Sequence, residues 1–258
     1  MLDIFLFTCS QVKYWLTLAC FGLLIWTPIS AQVSDESAPA RSGSFLVSGV
    51  MSSHGLGIDL AYAMGGPRRQ LRIGLELRQL KDNHEARIDP VRPDRGRRYV
   101  YGKLNALTLV NPNIGLDWAA IPLSHHNPIE VRIGVWAGPA IGLLNPYYLA
   151  VCRSSTSGQS CDVTAEAYDP DIHNFFNIRG RATFSQAPFN PTLQVGGTVG
   201  GYALLDLAAL DGYVNGIRVG FHLDGFANEI PLIVETSQVS NQQFFASASV
   251  AFVLGSRW

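Results

Sequence analysis

The 258-residue chain has few charged side chains and, beyond residue 40, no long apolar run. Charged residues make up 15% of the sequence, against about 25% in a typical soluble domain. A membrane-spanning helix needs roughly 20 apolar residues in a row, so this part of the chain predicts none. The hydrophobic content is nevertheless 47%. An apolar chain without spanning helices is either a soluble β protein or a membrane β-barrel, whose strands give a weaker signal.

An excess of charge of either sign is also lacking, since the formal net charge is −1. Nucleic-acid-binding proteins carry clustered positive charge, so we expect no nucleic-acid partner. The sequence predicts no cofactor and no metal site. His125 and His126 are adjacent, and neighbours on an extended segment point to opposite faces. They therefore favour a solvated turn over a metal-binding pair.

Cysteine is scarce, with four in the chain. Cys9 and Cys20 lie in the N-terminal segment, whereas Cys152 and Cys161 lie close together in a polar stretch. One nearby pair in an exported chain predicts a disulfide. Closing so short a loop constrains the unfolded chain by roughly 2–3 kcal/mol at most. Its main expected effect is therefore local order.

Residues 1–31 are typical of a cleavable secretory signal peptide. Lys13 is the single cation, Tyr14–Trp26 is apolar, and Pro28–Ala31 ends in small residues. The alternative, a transmembrane anchor, is disfavoured because the apolar segment is short. A flexible lead at residues 32–42 follows, and we expect residues 43–258 to form one domain.

The last segment, Gln243–Trp258, has the most informative pattern. Every second residue is apolar, and this alternation predicts a strand with one face toward an apolar phase. The apolar residues are Phe244, Ala246, Ala248, Val250, Phe252 and Leu254. An aromatic at the end of the final strand, here Trp258, is the signal that bacterial outer-membrane barrels present to their insertion machinery. We expect that machinery to be a partner.

Seven further segments complete an all-β prediction, an antiparallel transmembrane β-barrel of about eight strands. The predicted strands are Ser44–Met51, Leu56–Met64, Gln70–Leu80, Tyr101–Asn111, Ile129–Leu143, Thr192–Leu205, Val214–Phe226 and Gln243–Trp258. If Trp258 lies at the periplasmic end, the three longest connections fall outside, as in bacterial barrels. The longest, Leu144–Pro191, has room for two more strands near Phe175–Phe184, so ten strands is the alternative.

The rival architecture is a soluble calycin-like barrel, with apolar residues inside. Alternation alone does not distinguish the two faces. The signal peptide, Trp258 and aromatics near the strand ends favour the membrane barrel, because aromatics form girdles at both membrane interfaces. These aromatics are Tyr62, Tyr99, Tyr101, Tyr147, Tyr148, Tyr202, Phe226 and Phe244.

A series of short motifs runs in order through the chain. They are Tyr99–Asn105 (YVYGKLN), Gly142–Leu149 (GLLNPYYL), Ala167–Pro170 (AYDP), Asn177–Ala182 (NIRGRA), Glu229–Leu232 (EIPL), Asn241–Phe245 (NQQFF) and Phe252–Trp258 (FVLGSRW). The series resembles a family of uncharacterised outer-membrane β-barrel proteins from Bacteroidetes-type bacteria. The resemblance implies an outer-membrane barrel and brings no activity or catalytic residue with it. Asn145 stands where lysine is usual in that family, so a charge-dependent role at this position does not carry over.

If the apolar faces point to lipid, the charged residues point into the lumen. These are Asp59, Arg72, Glu76, Arg78, Lys103, Glu130, Arg132, Arg218, His222 and Asp224. Side chains fill an eight-stranded barrel, and leaving a buried charge unpaired costs several kcal/mol. We therefore expect a closed, ion-paired lumen. The alternative is a small-solute channel.

A lipid A-modifying enzyme is a further alternative, acting by acyl transfer or hydrolysis. Ser52, Ser53 and His54 share a predicted external turn, and His222 and Asp224 share one face of a strand. Such spacing is compatible with a Ser/His/Asp set, but geometry defines a triad. No residue is therefore predicted to be catalytic, and the chain is more simply interpreted as a non-enzyme.

The second external connection is rich in arginine. Guanidinium groups bind phosphate through two parallel hydrogen bonds. We expect Arg95, Arg97 and Arg98 to contact lipopolysaccharide, with a solvated loop as the alternative. The long loop Leu144–Pro191 is the best candidate for partner contact, and we expect a monomer.

Overall fold

The computed structural model describes residues 42–82, 84–90, 96–122, 129–154, 161–183, 185–207, 212–237 and 239–258. The predicted signal peptide (residues 1–31) and residues 32–41 of the lead lie outside this part. So do Arg95, His125, His126 and the side chain of Cys161. No helix in the described part is long and apolar enough to cross a membrane.

Strands dominate the described residues. In chain order they are β1 (Gly43–Ser52), β2 (Gly55–Gly65), β3 (Arg69–Leu80), β4 (Arg87–Ile88), β5 (Tyr99–Val100), β6 (Asn105–Ile121), β7 (Glu130–Pro146), β8 (Tyr148–Ser154), β9 (Cys161–Ala167), β10 (Ile178–Arg181), β11 (Thr192–Asp206), β12 (Tyr213–Ile230) and β13 (Gln242–Arg257).

Eight of these strands form a closed antiparallel barrel. The order around the barrel is β1-β2-β3-β6-β7-β11-β12-β13, and β13 pairs with β1 to close it. The predicted fold class is confirmed. The ten-stranded alternative is wrong, because β10 pairs with β8 in a separate three-stranded sheet with β9.

The barrel is apolar outside and polar inside. In β2, Ile58 is 55% exposed whereas its neighbour Asp59 is 2% exposed. Because side chains alternate between the two faces of a strand, a one-residue slip in pairing would reverse every position. The pairing of Val253 with Ser48 in β1 fixes that register at the closing seam. This distribution is the inverse of that in a water-soluble barrel.

Strand β6 departs most from the sequence prediction. It spans Asn105–Ile121 instead of Tyr101–Asn111, so residues assigned to a connection lie in the barrel wall. The misleading signal is Asn111–Asn113, a turn-like sequence with Pro112 at its centre. The β6–β7 ladder runs to Val110 and resumes at Ile114. The missing N–H of Pro112 falls in that gap, where no partner on β7 requires it.

Both ends of the barrel chain meet at one rim, which we call the terminal rim. The backbone N–H groups of Ser42 and Gly43 donate to the carbonyl of Trp258 at 2.8 and 3.2 Å. The opposite end, the loop rim, carries the turn 53–54 and the connections 81–104, 147–191 and 231–241. The three longest connections therefore share one rim, as predicted.

Two of these connections fold together into an ordered cap. Its buried core contains Tyr99, Tyr147, Leu149, Val151, Tyr168 and Ile178. The backbone N–H of Arg181 donates to the carbonyl of Arg97, and the hydroxyl of Tyr147 accepts from the N–H of Val100 at 3.2 Å. The predicted aromatic girdle is therefore wrong at four positions. Tyr99 and Tyr147 belong to this cap, and Tyr202 and Phe226 point into the barrel.

Candidate functional site

The interior of the barrel is built around Asp59, which holds two guanidinium groups. Arg72 Nη2 lies 2.7 Å from both carboxylate oxygens, and Arg218 Nη1 lies 2.7 Å from Oδ2. Arg72 also donates to Asn113 Oδ1 at 2.8 Å. Asp59 and Arg72 are each 2% exposed. At such burial each charge depends on its partner, since an uncompensated one is strongly destabilising.

Tyr202 supports this cluster from the opposite wall. Both guanidinium groups lie over its ring, at 5.7 Å for Arg72 and 5.2 Å for Arg218. Its hydroxyl donates to Asp117 Oδ1 at 2.6 Å. A Cβ at Gly134 would lie 2.5 Å from the Tyr202 ring. The glycine thus leaves the space that the aromatic side chain occupies.

A second cluster lies closer to the loop rim. Arg78 Nη2 lies 2.6 Å from Asp224 Oδ2, and Thr198 donates to Oδ1 of the same carboxylate at 2.8 Å. Arg78 Nε also lies 3.7 Å from Glu76. Above these ion pairs, an apolar layer closes the barrel toward the cap. It contains Leu80, Leu107, Leu109, Ala140, Leu144, Phe226, Ile230, Leu232 and Phe245.

A third cluster forms the floor at the terminal rim. Glu130 accepts from Arg132 Nη1 at 2.7 Å and from Arg257 Nη1 at 2.5 Å. The second terminal nitrogen of Arg257 binds Asp206. Sequence reasoning missed Asp206 because it placed this residue in a connection. It missed Arg257 because an arginine near the chain end was grouped with small and polar residues.

The structure places nine of the ten predicted lumen residues in these interior rows. Lys103 lies instead in the cap, 2.5 Å from Glu85 Oε1 and 5.7 Å from the Tyr147 ring. Asn113, Asp117 and Tyr202 complete the interior set. The strict alternation along β6 would have identified the first two had the strand been extended past Asn111.

Very little free space remains among the ion pairs. The cavity bounded by Asp59, Arg72, Trp136 and His222 measures about 10 Å³, close to what a single water needs. The apolar layer lies above this cavity and the ionic floor lies below it.

The residues considered for an enzyme lie in two separate places, at the β1–β2 turn and inside the barrel. Ser53 Oγ lies 2.9 Å from His54 Nδ1, but the nearby Asp82 accepts from His84. Inside the barrel, His222 Nε2 lies 3.0 Å from Ser249 Oγ, and its Nδ1 lies 3.5 Å from Glu76. This connectivity is that of a Ser/His/acid set. All three are buried, however, beside the same cavity of about 10 Å³, which excludes a substrate.

Two of the three predicted lipopolysaccharide-contact residues, Arg97 and Arg98, lie in the cap, and Arg95 lies outside the described residues. Arg97 and Arg98 are exposed, and Arg98 Nε donates to Asp89 Oδ1 at 2.7 Å. Cys152 is disulfide-bonded. Its pairing with Cys161 remains a prediction, since that side chain lies outside the described part. No cluster of three or more His, Cys, Asp or Glu side chains suited to a metal occurs among the described residues.

A polar pocket of about 480 Å³ opens at the loop rim beside the β1–β2 turn. It is lined by Ser52, Ser53, His54, Gly55, Leu56, Lys81, Asp82, Glu85, Arg87 and Val100. Burial lowers the pKa of the adjacent Lys103, Glu85 opposes that shift, and the charges of Lys81 and Arg181 add to it.

The external sheet carries an ion pair of its own. Arg153 donates to both oxygens of Glu166, at 2.6 and 2.9 Å, and Thr164 donates to the same carboxylate at 2.7 Å. The hydrogen bonds from Arg153 and Thr164 lower the pKa of Glu166 to about 2. This arrangement joins β8 and β9 above the barrel.

We expect the order of this sheet to depend on pH through Glu166. The carboxyl has a lower pKa in the folded sheet than its usual 4.5. The stability that ionised Glu166 gives to the sheet is therefore fully present above about pH 4.5 and is lost as the pH falls toward 2. Amide hydrogen exchange in β8 and β9 should accelerate over that range beyond the intrinsic rate. Glu166→Gln should remove the pH dependence, and an unchanged profile in that variant would contradict the assignment.

The fold and interior together define a closed eight-stranded barrel with an apolar exterior and an ion-paired core. Known structures with similar architecture include Neisserial surface protein A, with 5% identity, a TM-score of 0.41 and coverage of 85% of this chain and 96% of that one. The N-terminal β-barrel domain of Pseudomonas aeruginosa OprF has 10% identity and a TM-score of 0.32, covering 83% and 98%. Ail of Yersinia pestis, solved with the heparin analogue sucrose octasulfate, has 9% identity and a TM-score of 0.34, covering 85% and 97%.

At these scores we take the fold from the strand pairing of this chain alone. No family model matches the chain, and no curated protein matches it. The resemblance to Bacteroidetes-type barrels therefore stays a prediction.

Proposed function

We propose that this chain is an integral β-barrel of the Gram-negative outer membrane. In this proposal it is a monomer with a closed lumen, and it presents an ordered cap to lipopolysaccharide and external partners. The observation that carries the proposal is the reversed polarity of the barrel. Large apolar side chains such as Ile58, Phe221 and Phe252 lie exposed on the outer wall, while the charged side chains Asp59, Arg72 and Arg218 are buried inside.

Physical chemistry supports a lipid environment for that wall. Apolar area costs about 25 cal/mol per Å² when it faces water, and contiguous apolar patches on soluble monomers rarely exceed a few hundred Å². The outward rows of all eight strands together form a continuous belt. A closed barrel also satisfies every backbone group within the wall, as spanning a membrane requires.

The cap supplies the contact surface in this proposal. Arg97 and Arg98 are exposed and suit phosphate groups of lipopolysaccharide. Phe175 and Phe176 pack edge-to-face, and Phe176 is 80% exposed. Both lie in the turn before β10, and an exposed aromatic is a typical anchor for a protein partner. The buried interior favours this role over a channel or a lumenal enzyme.

The experiment that tests the barrel is heat-modifiability. The full chain, purified from membranes in mild detergent, should migrate faster unboiled than boiled on gel electrophoresis. Its circular dichroism should be β-rich only while detergent or lipid is present. A protein that stays folded and soluble without detergent would contradict the membrane assignment.

A further inference from the structure

We propose that the loop-rim pocket binds the phosphate monoester of a lipid headgroup, held by Lys81 and Arg87. The inference rests on the proposed function, because it requires the outer wall to face lipid. It differs from the contact through Arg97 and Arg98, since neither residue lines this pocket.

The pocket is built from backbone that has little freedom to move. The N–H of Lys81 donates to the carbonyl of His54 at 2.7 Å, and Ser52 Oγ donates to the carbonyl of Gly55 at 3.0 Å. Gly55 has φ +151°, and a Cβ there would lie 2.0 Å from the carbonyl oxygen of Gln79. Only glycine fits this turn, so the turn lies close against the first residues of the next loop.

The charges around the pocket leave a positive surplus. Of its two carboxylates, Glu85 is paired with Lys103 at 2.5 Å, and Asp82 is hydrogen-bonded to His84 at 2.8 Å. With Asp82 counted as one negative charge, Lys81 and Arg87 still leave one net positive charge. In the described part of the chain, neither Lys81 nor Arg87 has a carboxylate partner. Both line the same cavity.

The hydroxyl of Ser53 and the ring of His54 lie on the same wall. They are hydrogen-bonded to each other at 2.9 Å, which leaves at least one of their protons free to donate. One ammonium group, one guanidinium group and neutral donors together match the several acceptor oxygens of a phosphate monoester. A carboxylate ligand would use fewer of these donors.

The position of Leu56 identifies the source of the phosphate. This residue lines the pocket and also begins the outward apolar row of β2, where it is 59% exposed. Ile58 continues that row toward the centre of the belt. The pocket therefore lies where the apolar belt ends, which is the depth of the headgroup layer. A lipid there can place acyl chains on the wall and its phosphate in the pocket.

The test uses the full protein in nanodiscs, with native mass spectrometry to measure binding of phosphorylated lipid A. The paired variants are Lys81→Gln/Arg87→Gln and Arg97→Gln/Arg98→Gln, each of which removes two charges from the loop rim. We expect the first to weaken binding by about tenfold or more, as the loss of charge-assisted hydrogen bonds predicts. Removing the phosphate from the lipid should have the same effect as removing the two cations. Dephosphorylated lipid A should therefore bind the native protein about as weakly as phosphorylated lipid A binds the Lys81→Gln/Arg87→Gln variant. If the double variant does not fold, the same binding measurement can be made with Arg87→Gln alone, because Arg87 is exposed and its replacement should not disturb folding.

The outcomes separate the two proposals. Full binding by the Lys81/Arg87 variant with loss in the Arg97/Arg98 variant overturns the pocket and leaves the lipopolysaccharide contact standing. Full binding by both variants overturns both. Inorganic phosphate, titrated alone, distinguishes the source: if it binds as tightly as phosphorylated lipid A, the lipid assignment is wrong.

Discussion

Replacing Asp59 with asparagine is expected to lower the free energy of unfolding of the barrel by about 3–5 kcal/mol. The substitution keeps the shape of the side chain and removes its charge. Two buried guanidinium groups, those of Arg72 and Arg218, would then share a neutral amide. An uncompensated buried charge is among the most destabilising changes available in a protein interior. Urea unfolding in detergent, followed by the mobility shift, measures the loss.

The matched control is Glu166→Gln, which breaks an ion pair with Arg153 at the exposed sheet. Exposed ion pairs contribute little to stability, so the barrel should unfold at nearly the same urea concentration. A second variant, Asp59→Asn with Arg218→Gln, should recover part of the lost free energy of unfolding, because it removes one of the two guanidinium groups that bind Asp59. A loss within about 1 kcal/mol for Asp59→Asn would show that water or relaxation compensates the pair, contrary to our expectation.

The sequence was sufficient to predict the barrel because its period-two pattern is long and sets every side chain on one of two faces. Arg72 and Arg218 were placed inside from alternation alone. Their shared partner, Asp59, was in the same inward set, but sequence carries no information on which rows meet across the lumen. Strand tilt and register decide that pairing, and they depend on the whole ladder.

The cap was largely beyond sequence reasoning. Tyr99 and Tyr147 were assigned to membrane girdles, since aromatics near strand ends are typical of that position. They form instead the core of a small external unit, which the pairing of β8 with β9 and β10 creates. Likewise Lys103 was placed in the lumen because β6 was started too early. The same strand was also ended too early, at Asn111, because Pro112 is turn-like; the gap in the β6–β7 ladder explains how the proline is tolerated inside the strand.

The floor of the barrel depends on Arg257, which we expect to be as important as Asp59. Asp206 on β11 and Glu130 on β7 are directly opposite in the strand register. Like charges in that arrangement repel one another. Arg257 on β13 binds both carboxylates and so also ties the closing strand to the far wall. Arg132 contacts Glu130 from the same strand, but it makes no link to β13.

Arg257→Gln should therefore lower the free energy of unfolding by about 3–5 kcal/mol, because it removes the guanidinium group that Asp206 and Glu130 share while both carboxylates stay buried. Arg257→Lys is the matched control for charge. A single ammonium group cannot bridge both carboxylates as a guanidinium fork does. The free energy of unfolding of Arg257→Lys should therefore lie between those of the native protein and Arg257→Gln. Combining Arg257→Gln with Asp206→Asn removes the repulsion and should restore part of the stability. Urea unfolding and the temperature of the mobility shift measure all three. The contrary outcome is that Arg257→Gln has the same free energy of unfolding as the native protein while Asp59→Asn has a lower one. In that case the central cluster around Asp59 stabilises the barrel, and the ion pairs at the terminal rim contribute little.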